Sequence, residues 1–105
     1  MEKVIFGEEV LDYFDNLVFT LFEKDYFGFP ESAENYANNI SEFIFSNIFT
    51  FPHKKTPKPL NYLGSEYIFY KANARTTWYI FFEKRNQNYL ITGILNNYSE
   101  EIKEL

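Results

Sequence analysis

Apolar and polar residues alternate along this chain with two periods, and the change falls just past its middle. Lys3 to Phe6 (KVIF) is a short apolar run that suits a strand, and Gly7 breaks it. From Glu8 onward, Val10, Leu11, Phe14, Leu17, Val18, Leu21 and Phe22 recur three and four apart, the spacing of an amphipathic helix. Glu8, Glu9 and Asp12 lie at its N-terminal end, where the helix dipole favours negative charge, and Gly28 marks its expected stop. Pro30 then opens a second helix as a good first-turn residue. Ala33, Tyr36, Ala37, Ile40, Phe43, Ile44 and Ile48 mark one face of it, and Pro52 limits it. Two helices of this length joined by GFP predict an antiparallel hairpin.

After a Pro-punctuated linker the period becomes two. EYIFYK (Glu66 to Lys71), TTWYIFFE (Thr76 to Glu83) and NYLITGIL (Asn88 to Leu95) are rich in aromatic and branched residues, as strands are. The second is apolar on both faces, with Trp78, Ile80 and Phe82 on one and Tyr79 and Phe81 on the other, which predicts a central strand covered on both sides. The separators ANAR and KRNQN are short enough for hairpins, and YSEEIKEL reads as one helical turn or irregular chain. The expectation is one α+β domain over residues 1–105. It has an N-terminal strand, a helical hairpin and a three-stranded antiparallel meander, with the helices packed on one face of the sheet and the first strand free to join an edge.

Charge sharpens this picture more than composition does. The chain carries a formal net charge of -5, yet Met1 to Phe51 holds two basic and ten acidic residues while Pro52 to Arg85 holds seven basic and two acidic. The linker FPHKKTPKPL, Phe51 to Leu60, contains the one histidine and three of the four prolines. Such asymmetry speaks of partners rather than of fold. The absence of cysteine removes thiolate chemistry, disulfides and Cys-based zinc sites, and a single histidine argues against an all-His metal site. Neither a metal nor another cofactor is therefore expected. No apolar run approaches the roughly 20 residues of a membrane helix, and MEKVIFGEEV lacks a signal-peptide layout, so the expected setting is cytoplasmic. The aromatic surplus of 13 Phe, 9 Tyr and one Trp fits core packing and A/T-rich codon usage.

With these elements in this order, the chain resembles the RelE/ParE family of toxins. Thr56 to Asn97, TPKPLNYLGSEYIFYKANARTTWYIFFEKRNQNYLITGILNN, resembles the family's core, in which a basic approach leads into a strand, a hairpin and a final strand. Tyr13 to Ile44, YFDNLVFTLFEKDYFGFPESAENYANNISEFI, resembles its helical hairpin. The likeness implies the toxin of a type II toxin–antitoxin system, a plasmid-stabilization function, and a cognate antitoxin protein as partner. RelE-like members are ribosome-dependent mRNA interferases, that is, metal-independent endoribonucleases. ParE-like members instead inhibit DNA gyrase without cutting, and a degenerate member would only bind its antitoxin.

For RNA cleavage by a ribose 2′-OH, cations must surround the transition-state phosphate and a His, Tyr or Lys must move protons. By position, Lys54, Lys55 and Lys58 correspond to the basic approach of RelE-like members. Arg75 lies at the hairpin before the central strand, and Tyr98 falls where such members carry a functional aromatic residue. The expected catalytic set is Lys54, Lys55, Arg75 and Tyr98. His53, Lys58, Lys71, Lys84 and Arg85 are expected to bind RNA or another target. Each also has a plainer role: the lysines as solvated linker charges, Arg75 as a hairpin cap, His53 as a surface residue between Pro and Lys, and Tyr98 as packing for the C-terminal tail. The stretch ITGILNNYSEE carries no Arg or His where many active members do, and that departure suits the non-cutting alternatives.

Overall fold

A computed structural model describes residues 3–23, 30–72, 74 and 76–105. Strand β1 (Lys3–Phe6) leads into helix α1 (Glu8–Glu23), and helix α2 (Pro30–Asn47) follows. After these come β2 (Lys54–Lys55), a 3-10 helix (Lys58–Leu63), β3 (Glu66–Lys71), β4 (Thr77–Arg85), β5 (Asn88–Asn96) and a second 3-10 helix (Glu100–Glu104). The helix stop expected at Gly28 lies outside the described residues.

The class is α+β, but a helical hairpin on a three-stranded meander is not the architecture. The strands form one five-stranded mixed sheet in the order β1-β5-β4-β3-β2. β3, β4 and β5 are antiparallel neighbours, while β1 runs parallel to β5 with Lys3 opposite Asn88 and Phe6 opposite Ile91. The basic segment read as a linker supplies a further edge strand, with Lys54 opposite Tyr67 and Lys55 opposite Glu66. β1 takes an edge of the sheet, as the sequence allowed, but neither its parallel direction nor the β2 strand was announced by periodicity. Two residues carry no period, and a parallel pair between residues 3–6 and 88–91 is set by tertiary contact.

Gly7 joins strand to helix. Its N–H donates to the Ile91 carbonyl at 3.0 Å, ending the β1–β5 ladder. Its carbonyl accepts from the Val10 and Leu11 amides at 3.0 and 3.1 Å, starting α1. Ile40 and Ile44 in α2 and Ile48 just past its end recur every fourth residue, all at 0% exposure, on the stripe that meets the sheet. Val10 joins them against Ile68, Trp78, Ile80, Phe82, Tyr89, Ile91 and Ile94. A side chain adds to the backbone bonding near the end of α2. Asn47 Nδ2 donates to the Phe43 carbonyl at 3.0 Å.

The other face of the sheet has its own cover at one end. Phe81 is also at 0% exposure although it points away from α2, and Leu60 and Ile102, from the two 3-10 helices, are buried with it. A β-bulge makes this possible: Phe81 pairs with Gly93 and Phe82 with Ile91, which leaves Thr92 extra in β5. The Thr92 hydroxyl donates to the Leu63 carbonyl, so the first 3-10 helix is tied to the bulge. Gly64, at φ 153, crosses β4 so closely that a Cβ there would stand 2.7 Å from the Phe82 nitrogen.

Candidate binding face

Alternation along β3 and β4 puts Tyr67, Phe69 and Lys71 on the sheet face away from the α-helices, with Tyr79, Phe81 and Glu83 beside them. Their register is Tyr67 opposite Phe81, Phe69 opposite Tyr79 and Lys71 opposite Thr77. Tyr67, Phe69 and Tyr79 are all half-buried, so each keeps part of its ring in solvent. The Tyr67 ring lies 6.0 Å from Tyr79 and 5.6 Å from Phe81, centroid to centroid. Burial, and then the neighbouring Tyr79, push the Tyr67 hydroxyl above the ordinary tyrosine value, so it stays a neutral donor at physiological pH.

Lys54, opposite Tyr67, shares this face and holds its Nζ 5.8 Å from the Phe69 ring centroid. Lys55 is exposed on the same edge strand, and Lys58 is exposed at the start of the first 3-10 helix. Flat aromatic surface bordered by lysines can stack planar groups and neutralise phosphates. Among the described residues no three His, Asp or Glu side chains gather into a metal-holding group.

The expected catalytic set is not one cluster. Lys54 aligns through Tyr67 and Phe81 with Gly93, whereas Tyr98 follows the far end of β5. Three strand spacings and three residues along the strand put the end of β5 roughly 17 Å from the Lys54 backbone, and Tyr98 lies two residues further on. Tyr98 is 67% exposed, and its N–H donates to Asn96 Oδ1 at 2.9 Å. Arg75 lies outside the described residues. Lys71 stands at the Tyr98 end, since its partner Thr77 donates its N–H to Asn97 Oδ1 at 2.8 Å.

The remaining expected binding residues are dispersed. Lys84 rests its Nζ 5.2 Å over the Tyr89 ring, and Arg85 is exposed where the β4–β5 turn begins. His53 is half-buried rather than freely exposed. Its Nε2 donates to the Ile48 carbonyl at 2.6 Å, and its ring stands edge-on to Phe82 and Tyr89 at 4.9 and 5.7 Å. It caps the end of α2 and packs against core rings, which takes it away from the lysine face. Sequence reasoning missed Tyr67, Phe69 and Tyr79 as a surface. The signal was there in their shared parity, but the register that makes them neighbours was not.

The chain is thus an α+β protein whose mixed sheet carries α-helices on one face and a partly open aromatic and basic surface on the other. Comparison with protein-family models, curated proteins and solved structures returns no match. No helix among the described residues is long and apolar enough to cross a membrane.

Proposed function

We propose that this chain is the toxin of a type II toxin–antitoxin pair of the RelE/ParE kind, and that it meets its target with the sheet face opposite α1 and α2. One observation carries the reading: Lys54 lies over Phe69 at the border of the half-buried Tyr67, Phe69 and Tyr79. Single-stranded RNA suits that chemistry, because lysines neutralise phosphates and rings stack on bases. Ribosome-bound mRNA is the target of this reading, and a small antitoxin protein is the expected inhibitor. The test is to induce the chain in a bacterial host and map mRNA 5′ ends. Growth arrest with new ends, both reduced at least about tenfold by Lys54→Ala with Tyr67→Ala, is the expected result. Arrest without new ends overturns the RNA target, and no arrest overturns the toxin.

The separation of Lys54 and Lys55 from Tyr98 favours a second reading. The described residues gather no single cutting centre from that set, and a toxin that works by binding, as gyrase inhibitors do, needs none. Purified chain that blocks gyrase supercoiling would support this second reading. Supercoiling unchanged over a wide concentration range would remove it.

A further inference from the structure

The basic segment is held at both ends by two consecutive residues of β4. Upstream, the His53 ring packs on Phe82 and its Nε2 is bonded to the Ile48 carbonyl, on the face that carries the α-helices. Downstream, the Ser65 N–H donates to Glu83 Oε2 at 3.2 Å and the Ser65 hydroxyl donates to Glu83 Oε1. Neighbouring residues of a strand project to opposite faces, so Phe82 and Glu83 grip the segment from the two sides of the sheet. The Thr56 N–H donates to the Ser65 carbonyl at 3.1 Å, closing the span into a loop. Gly64 lets that loop sit on the bulge, where a Cβ would meet the Phe82 nitrogen and Thr92 Oγ1, each at 2.7 Å.

We propose that Glu83 and His53 are positioning residues, the two jaws of a clamp that sets how Lys54, Lys55 and Lys58 are presented at the sheet edge. A lysine stem is flexible, so its charge can be aimed only by fixing the backbone that bears it. The prolines at positions 57 and 59 stiffen the span, and the jaws set where it begins and ends. Glu83 thus serves a cationic surface although it carries the opposite charge, because both its oxygens are turned to Ser65. This inference rests on reading those lysines as facing the target.

Glu83→Ala and Glu83→Gln are compared with the wild type by thermal melting, by amide hydrogen exchange, and by binding of a short single-stranded oligouridylate. In Glu83→Ala the Ser65 and Thr56 amides are expected to exchange at least about tenfold faster, with the Ile94 amide in β5 unaffected. Oligouridylate affinity falls about five- to tenfold, and its salt dependence becomes shallower. Glu83→Gln, which keeps an acceptor, recovers most of both effects. Ser65→Ala removes one donor outside the core and shows the same signs if Glu83→Ala does not fold. His53→Ala tests the other jaw: it speeds exchange at Thr56 and, because the ring packs against core rings, also lowers the melting temperature. Unchanged Ser65 exchange in Glu83→Ala overturns the clamp, and so does faster exchange with unchanged affinity. A wild-type chain that ignores oligouridylate sinks the RNA reading instead. The clamp is then judged by Ser65 exchange and by growth arrest of the induced host, which Glu83→Ala must weaken if the clamp is real.

Discussion

Trp78 shows how much a single side chain can organise. It is buried against the α-helices, and its indole N–H donates to the Tyr36 hydroxyl at 2.9 Å. Tyr13 and Tyr36 both meet its ring edge-on, at 6.4 and 6.2 Å. Burial, and then Tyr36, raise the Tyr13 hydroxyl above the ordinary tyrosine value. The folded state therefore holds that proton more tightly than the unfolded chain does. Stability is full below the ordinary tyrosine value, about 10, and falls as pH rises through it toward the raised one. Urea unfolding across that range should show the fall, and Tyr13→Phe should reduce it, leaving the part that Tyr67 contributes. Ile44, fully buried in α2, gives a second residue-scale expectation. Ile44→Ala should cost about 2–5 kcal/mol by the same measurement, since it removes apolar contact and leaves a cavity. Trp78 as core was legible from its place in the most apolar strand. His53 was not, because its role depends on a carbonyl and two rings that only the folded chain brings to it.

At the scale of elements, the segments with strong period are the ones the sequence made plain. The four-residue spacing of Ile40, Ile44 and Ile48 and the two-residue spacing of Trp78, Ile80 and Phe82 mark a helix and a strand without help from the rest of the chain. Assembly was less legible. The bulge at Thr92 shifts the inward set of β5 from Tyr89 and Ile91 to Ile94, so strict alternation misassigns its second half. The turn before β3 was equally hidden, although Gly64 hints at it. With φ 153 and no room for a Cβ, Gly64→Ala should destabilise the fold by about 1–3 kcal/mol, seen as a lower denaturant midpoint. A midpoint equal to that of the wild type would mean that the loop does not sit against β4 as described.

For the whole molecule, charge segregation is the property with the clearest consequence. Residues up to Phe51 are strongly acidic, and the lysines at the sheet edge stand apart from them in sequence. An anionic target would meet those lysines more favourably than the acidic N-terminal half of the chain. If Lys54, Lys58 and Lys71 each meet one phosphate, the logarithm of affinity for single-stranded RNA should fall against the logarithm of salt with a slope of about -2. A flat salt response would say that the face works through its rings alone. The uneven charge was plain in the sequence. That Lys54 borders the aromatic surface while Tyr98 stands beyond the far end of β5 was not, since it follows from strand order.

The parallel pair of β1 and β5 also has a meaning in time. Residues 3–6 find their partners only when residues 88–91 exist, so the sheet cannot close while most of the chain is still being made. Until then β4 has one vacant edge and the Val10 end of α1 lacks its floor in β5. Pairing so distant in sequence slows folding, because a long loop must be ordered before any contact rewards it. A nascent chain would thus carry β2, β3 and β4 before its sheet can close, and would complete its fold only once residues 88–91 are made.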